Sequence, residues 1–194
     1  MTGRSATRDE TFPHPWQAEI LSAAPMIAPA AQYVYPQAVE EVERGALLLL
    51  LRSGPNAFPV LLTFALGFAD ASLPHGIWSC PNPGQICAVA GGYAYLVDAN
   101  DPKQWIQIPY RPVTAVYAVA AENLLIFAGF HQLWALGPDG KHWETERLTW
   151  EGLRVAEIGN GKLEGYGWDL PTDREVPFVV DLKTGQHSGG VGPM

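Results

Sequence analysis

The stretches Val89–Trp105, "VAGGYAYLVDANDPKQW", and Phe127–Trp143, "FAGFHQLWALGPDGKHW", read alike at a step of 38 residues. The step carries Ala90 onto Ala128, Gly91 onto Gly129, Asp101 onto Asp139, Lys103 onto Lys141 and Trp105 onto Trp143. Repetition at a fixed interval marks an architecture built from copies of one small unit. Extended along the chain, the step predicts copies over 76–113, 114–151 and 152–190. The third copy sets Leu163 under Cys87 and Leu125, and Gly167 under Gly91 and Gly129. It then takes an insertion, "WDLPTDRE", before "VPFVVDL" resumes.

Each copy divides into short extended pieces separated by turn chemistry. In the second they are "TAVYAVA", "NLLIFAGF", "HQLWALG" and "HWETERL". Pro138-Asp139-Gly140 supplies a tight turn between the third and fourth pieces, as Asn100-Asp101-Pro102 and Lys183-Thr184-Gly185 do in the other copies. Gly159-Asn160-Gly161, Pro83-Gly84 and Glu122-Asn123 turn the first piece into the second. "HWETERL" sets Trp143, Thr145 and Arg147 against His142, Glu144 and Glu146, the alternation of a strand with one wet face, whereas "LLIFAGF" is continuously apolar and predicts a strand covered on both faces. The expected fold is all-β, with repeated four-stranded antiparallel sheets.

A four-stranded antiparallel unit of about 40 residues, set beside copies of itself, resembles the blade of a β-propeller. The resemblance covers roughly residues 76–190 and is one of architecture. A Gly-His start with a closing Trp-Asp is missing, since Trp168-Asp169 falls in mid-repeat. It implies a small β-propeller-like stack in which each sheet covers apolar surface that its neighbour leaves bare. The hairpin-like stretch over 46–75, where "FALGF" echoes "IFAGF", would supply a fourth sheet. A twisted β-sandwich or barrel built from duplicated meanders is the alternative. Residues 45–194 then form the repeat domain and residues 1–44 an N-terminal arm, partly irregular, with prolines at 13, 15, 25, 29 and 36. Within the arm, "QAVEEVER" before Gly45 reads either as one or two helical turns or as a strand entering "GALLLLL".

Composition agrees with this. Apolar residues make up 47% and charged residues 16%, which is globular rather than disordered. Twenty Gly and 17 Pro favour short strands and many turns. The formal charge of −8, with no dense basic stretch, argues against a nucleic-acid partner. The apolar runs Ala46–Leu51 and Pro59–Phe68 are each far short of the ~20 residues a membrane-spanning helix needs, so no membrane partner is expected. Asp9, Glu10 and Glu19 stand where a signal peptide would be apolar, which points to a cytoplasmic protein. Cys80 and Cys87 fit either a bridge across a hairpin or two small buried hydrophobes.

Catalytic and metal signatures are missing. His14, His75, His131, His142 and His187 form no HxH or HExxH, no serine sits in a GxSxG elbow, and "GNGKLEG" reads as a hairpin rather than a phosphate loop. No metal, cofactor or catalytic residue is therefore assigned, and the reading leans against an enzyme without deciding the question.

Topology indicates where function would lie. If each unit runs from inner to outer strand, the loops joining second to third strands, and fourth strands to the next unit, emerge on one face. That face would carry Tyr93, Tyr110, Arg111, His131, Trp150, Trp168, Asp169, Asp173, Arg174 and Glu175. Aromatic and arginine side chains of this kind dominate binding hot spots. Trp105 and Trp143 recur in phase and are read as packing residues, each burial contributing about 4–6 kcal/mol. The expectation is a non-catalytic protein-interaction or self-assembly domain with a protein partner or a second copy of itself. A carbohydrate or small-molecule binding domain is the alternative, and a hydrolase pairing His131 with Asp173 or Glu175 is a weaker third reading.

Overall fold

A computed structural model describes residues 5–36 and 45–191. The possible helical turns of "QAVEEVER" lie outside the described residues. Among those residues there are seventeen strands and a single 3-10 turn, Ala120–Glu122, so the chain is all-β. It divides into two compact units, Met1–Pro112 and Val113–Met194.

The first unit contains β1 (Thr7–Asp9), β2 (Gln17–Leu21), β3 (Gln32–Tyr35), β4 (Ala46–Arg52), β5 (Val60–Ala65), β6 (His75–Ser79), β7 (Gln85–Ala90), β8 (Tyr93–Asp98) and β9 (Trp105–Gln107). One sheet has the order β2-β4-β5-β3 and the other β1-β6-β7-β8-β9. The N-terminal residues are thus built into the sheets. β2 runs antiparallel to β4 and β3 parallel to β5, which completes the hairpin sheet to four strands, while β1 lies parallel beside β6. At that junction a Cβ on Gly76 would stand 2.0 Å from the Thr7 carbonyl oxygen, so only glycine lets the two backbones meet.

"ALLLLL" looks uniformly greasy, yet its burial alternates. Leu47, Leu49 and Leu51 are fully inside, and Leu48 and Leu50 lie half-buried on the other face. The inward leucines meet Leu62 and Phe64 of β5, Ile86, Ala88 and Ala90 of β7, and Tyr95 and Val97 of β8 in one core. Tyr35 stacks on Phe64 at 4.9 Å and its hydroxyl donates to the Pro102 carbonyl at 2.8 Å, so a buried polar end is satisfied. Cys80 and Cys87 are free and fully buried, and burial pushes both thiols up.

The second unit contains β10 (Ala115–Val119), β11 (Leu124–Ala128), β12 (Leu133–Gly137), β13 (Gly140–Glu144), β14 (Glu151–Gly159), β15 (Lys162–Asp169), β16 (Arg174–Asp181) and β17 (His187–Gly189). They form two antiparallel meanders, β10 to β13 and β14 to β17, each in sequential order. Leu124, Ile126, Ala128, Leu133, Ala135 and Trp143 of one sheet bury against Leu163, Phe178, Val180 and Leu182 across it. The Trp143 indole N–H donates to the Leu182 carbonyl at 2.6 Å. Every sheet order is linear, with two edges, so none of the sheets closes into a barrel.

The repeat is real but not uniform. Opposed residues at the first turn of each meander are Ser79 and Ile86, then Val119 and Leu124, then Gly159 and Lys162. Six, four and two residues intervene, so the turn shortens by two in each copy. The last is a two-residue hairpin with Asn160 at φ 51° and Gly161 at φ 73°, the conformations a type I′ turn requires. Second strands therefore step by 38 residues and first strands by 40. The next loop compensates: Ala90 faces Tyr93, whereas Ala128 faces Leu133. Contrary to expectation, His131 does not open a strand. The residue that takes the place of Tyr93 is Leu133, and His131 lies in the loop before it. "HWETERL" is also shorter than expected as a strand. It stops at Glu144, because Thr145 turns inward to bond Leu133 through both its backbone N–H and its hydroxyl.

Candidate functional site

The ten sequence-predicted residues fall into two groups, one in each unit. In the first unit, Arg111 lies over the Tyr93 ring at 5.4 Å and donates to Gln107 Oε1 at 2.5 Å. Phe68 meets the same ring edge-on at 5.7 Å, and Gly67 packs so closely that a Cβ there would stand 2.3 Å from it. Tyr93 is thus clamped between an arginine and a phenylalanine, with Tyr110 half-buried just before Arg111.

The larger group is in the second unit, where the connector 145–150 draws the remaining residues to one end of the two meanders. Leu148 and Thr149 are fully buried in it. The Leu148 N–H donates to the His131 carbonyl at 2.8 Å, and His131 Nδ1 lies 3.3 Å from the Thr149 carbonyl. The Thr149 hydroxyl donates to the Trp168 carbonyl at 3.0 Å and accepts the Glu151 N–H at 3.2 Å. The Trp150 N–H donates to the same Trp168 carbonyl at 2.9 Å. Gly167 permits this approach, since a Cβ there would stand 2.6 Å from Thr149 and 2.8 Å from the Leu148 carbonyl. His131, Trp150 and Trp168 are held together by backbone, and His131 takes a backbone partner rather than a carboxylate.

The insertion "WDLPTDRE" extends a hairpin. Trp168 pairs with Glu175 and Asp169 with Arg174, leaving 170–173 as the turn. Asp169 accepts the Thr172 hydroxyl at 2.5 Å, and Asp173 occupies the left-handed region at φ 53°. Both acids have turn-forming work, which aspartate does through its short polar side chain. Leu170 at the tip is 64% exposed.

Beside this tip lies a groove of about 460 Å³ lined by Glu151, Gly152, Leu153, Arg154, Trp168 and Glu175. Arg154 reaches Glu175 at 3.3 Å and covers the Tyr166 ring at 4.7 Å, and Arg147 covers Trp150 at 5.1 Å. Among the described residues no group of three or more His, Cys, Asp or Glu side chains could hold a metal ion. No described helix is long and apolar enough to cross a membrane.

Sequence reasoning missed Phe130, Arg147, Arg154, Tyr166 and Leu170. Phe130 is 45% exposed beside His131, in the two residues by which this loop outgrows its counterpart. The alternation of "KLEGYGWD", with glycines inward and Lys162, Glu164 and Tyr166 outward, is the signal that would have found Tyr166.

No family model and no curated protein matches the chain. Among solved structures it is similar to the N-terminal domain of Nup159, at 12% identity and a TM-score of 0.37, over 96% of this chain and 53% of that one. It is also similar to a chain in a complex of S. cerevisiae Dbp5 with Nup159, Gle1, IP6 and ADP, at 11% identity and a TM-score of 0.40, with the same coverage of each. The chain spans about half the length of the solved chains it resembles. A likeness at this level assigns neither family nor function.

Proposed function

We propose that the chain is a non-catalytic protein-interaction domain whose contact surface is the loop end of the second unit, around Trp168. The observation that carries this is the groove of about 460 Å³ between Trp168, Arg154 and Glu175, with exposed Leu170 and Tyr166 beside it. Indole, phenol and guanidinium groups in a part-desolvated, backbone-braced setting are what interface hot spots are made of. The bracing matters as much as the composition, because a surface already held in shape loses little conformational entropy on association. The arginines stacked on Trp150 and Tyr166 are held the same way. A cytoplasmic setting belongs to the same proposal, and the unbridged thiols of Cys80 and Cys87 suit a reducing compartment.

The test is comparative co-purification from the native host using the wild type, Trp168→Ala and Arg174→Ala. Both variants should lose the same associated protein while melting within a few degrees of the wild type. Unchanged association, or unfolding of both, would contradict the proposal. A thermal-shift screen against glycans separates the alternative reading, since Trp168 with Glu151 and Glu175 also offers a ring to stack on and carboxylates for hydroxyl groups.

A further inference from the structure

The groove is one end of a longer open surface. In the β14–β17 sheet the inward residues of β15 are Leu163, Gly165 and Gly167, so Lys162, Glu164, Tyr166 and Trp168 project from the opposite face. Lys162, Glu164 and Tyr166 are exposed on that face, the Tyr166 ring lying under the Arg154 guanidinium, and the face continues across the register to Arg154, Glu157, Glu175 and Pro177. Two aromatic side chains, Tyr166 and Trp168, thus stand at one end of its middle strand, and Glu164 and Lys162 at the other.

Its far end carries a charge arrangement that costs the fold something. Glu157 on β14 and Glu164 on β15 are directly opposed, lining a depression of about 260 Å³ with Lys162 and Asn160. Like charges opposite each other on neighbouring strands destabilise a sheet. Among the described residues neither glutamate forms an ion pair, although Lys162 is close by. The wider setting is acidic too, because residues 113–194 hold eleven carboxylates against six lysine and arginine side chains. Resting on the proposed interaction surface, we infer that this face receives an extended, cationic segment of a partner protein. Its basic side chains lie over Glu157 and Glu164, and its apolar side chains over Tyr166 and the groove at Trp168.

The spacing supports an extended partner. At about 3.4 Å per residue, Glu164 and Trp168 are roughly 14 Å apart along β15, and a strand laid along it presents same-side groups at the same two-residue interval. A basic residue and an apolar one four positions apart would reach the two ends together. The face carries Glu157, Glu164 and Glu175 against Arg154 and Lys162, with Arg154 paired to Glu175. The excess of carboxylate therefore lies at the Glu157–Glu164 end and would make binding of a cation there sensitive to salt.

The probes are two fluorescein-labelled peptides, Lys-Arg-Lys-Thr-Leu-Thr-Leu and its counterpart Glu-Asp-Glu-Thr-Leu-Thr-Leu, titrated by anisotropy against the full chain. The basic peptide should bind at least about tenfold tighter. The preference should shrink as NaCl rises from about 50 to about 300 mM. Glu157→Gln/Glu164→Gln should abolish the preference while melting no lower than the wild type, since it relieves the opposed charges. Glu19→Gln/Asp139→Asn, with the same change in net charge elsewhere, should keep it. Equal binding of both peptides, no binding of either, or equal loss in the two double variants overturns the inference. If the acidic peptide binds and Trp168→Ala abolishes that binding, the interaction surface survives and only its charge assignment falls. A dimer in light scattering that Trp168→Ala dissociates would give the face to a second copy. Calcium stabilising the wild type but not Glu157→Gln/Glu164→Gln would make the acidic pair a metal site. Either result overturns the cationic partner.

Discussion

Trp143 is where the stacked-sheet account of the second unit can be tested with a number. Its ring is 6% exposed in the core between the β10–β13 and β14–β17 sheets, and its indole N–H bonds the Leu182 carbonyl across that interface. Gly185 is seated against the ring, where a Cβ would stand 2.8 Å away. Trp143→Ala removes the ring and orphans a buried acceptor, which should cost about 3–5 kcal/mol. Roughly 1–2 kcal/mol of that belongs to the lost hydrogen bond. Trp143→Phe keeps most of the volume and should cost only about 1–2 kcal/mol. Trp105, its partner at the 38-residue step, is only partly buried and packs on Tyr35 and Tyr95, so Trp105→Ala should cost about 2 kcal/mol. Equilibrium urea unfolding followed by far-UV circular dichroism would rank the three. A Trp143→Ala cost below about 1 kcal/mol, or one smaller than that of Trp105→Ala, would refute the inter-sheet placement.

Three further outcomes are expected. Gly167→Ala should destabilise by about 1–3 kcal/mol in the same urea assay, because its methyl group would drive the 145–150 connector off the sheet; a neutral effect would remove the close approach. Cys80 and Cys87 should react with a thiol reagent only on unfolding. Since burial raises both thiols, the folded state retains protons that the unfolded chain releases, so stability should fall as pH rises above the ordinary thiol value, and Cys80→Ser/Cys87→Ser should flatten that alkaline slope. Asp181 is held below the ordinary carboxylate range by the Thr184 hydroxyl and then its N–H, so its contribution is present above that range and lost as pH falls through its folded value. Asp181→Asn should therefore flatten the acid limb of the melting-temperature profile, and an unchanged limb would count against the turn.

Much of the architecture was legible because a meander announces itself locally. Turn residues and alternating strands recur in "AVYAVAAENLLIFAGFHQLWALG", and the 38-residue step places the second strands of all three copies correctly. The step is blind to slips of two residues, since side-chain direction on a strand repeats every second position. That blindness put His131 in the place that Leu133 occupies. The strands of the N-terminal residues were hidden for another reason. β1, β2 and β3 are three to five residues long and pair with strands distant in the chain, so no local periodicity reports them. Tertiary pairing forms them.

The candidate surface was half legible. Topology predicted a shared loop face, and backbone bonds through Leu148, Thr149 and Trp150 join His131 to Trp168; that this end is the contact surface is the proposal made above. What could not be read was which acids serve turns, as Asp169 and Asp173 do, and which stand opposed on an open face, as Glu157 and Glu164 do. That distinction depends on register, which bulges beside Gly152 and Ala156 set in β14.

The most direct test of the central claim is photo-crosslinking in the native host, with benzoylphenylalanine replacing Tyr166 or Leu170 and, as control, Ile106. All three are exposed, but only the first two belong to the Trp168 surface. A discrete crosslinked species shared by positions 166 and 170 and missing at 106 is the predicted result. No crosslink at 166 and 170, or the same species at all three, would contradict it.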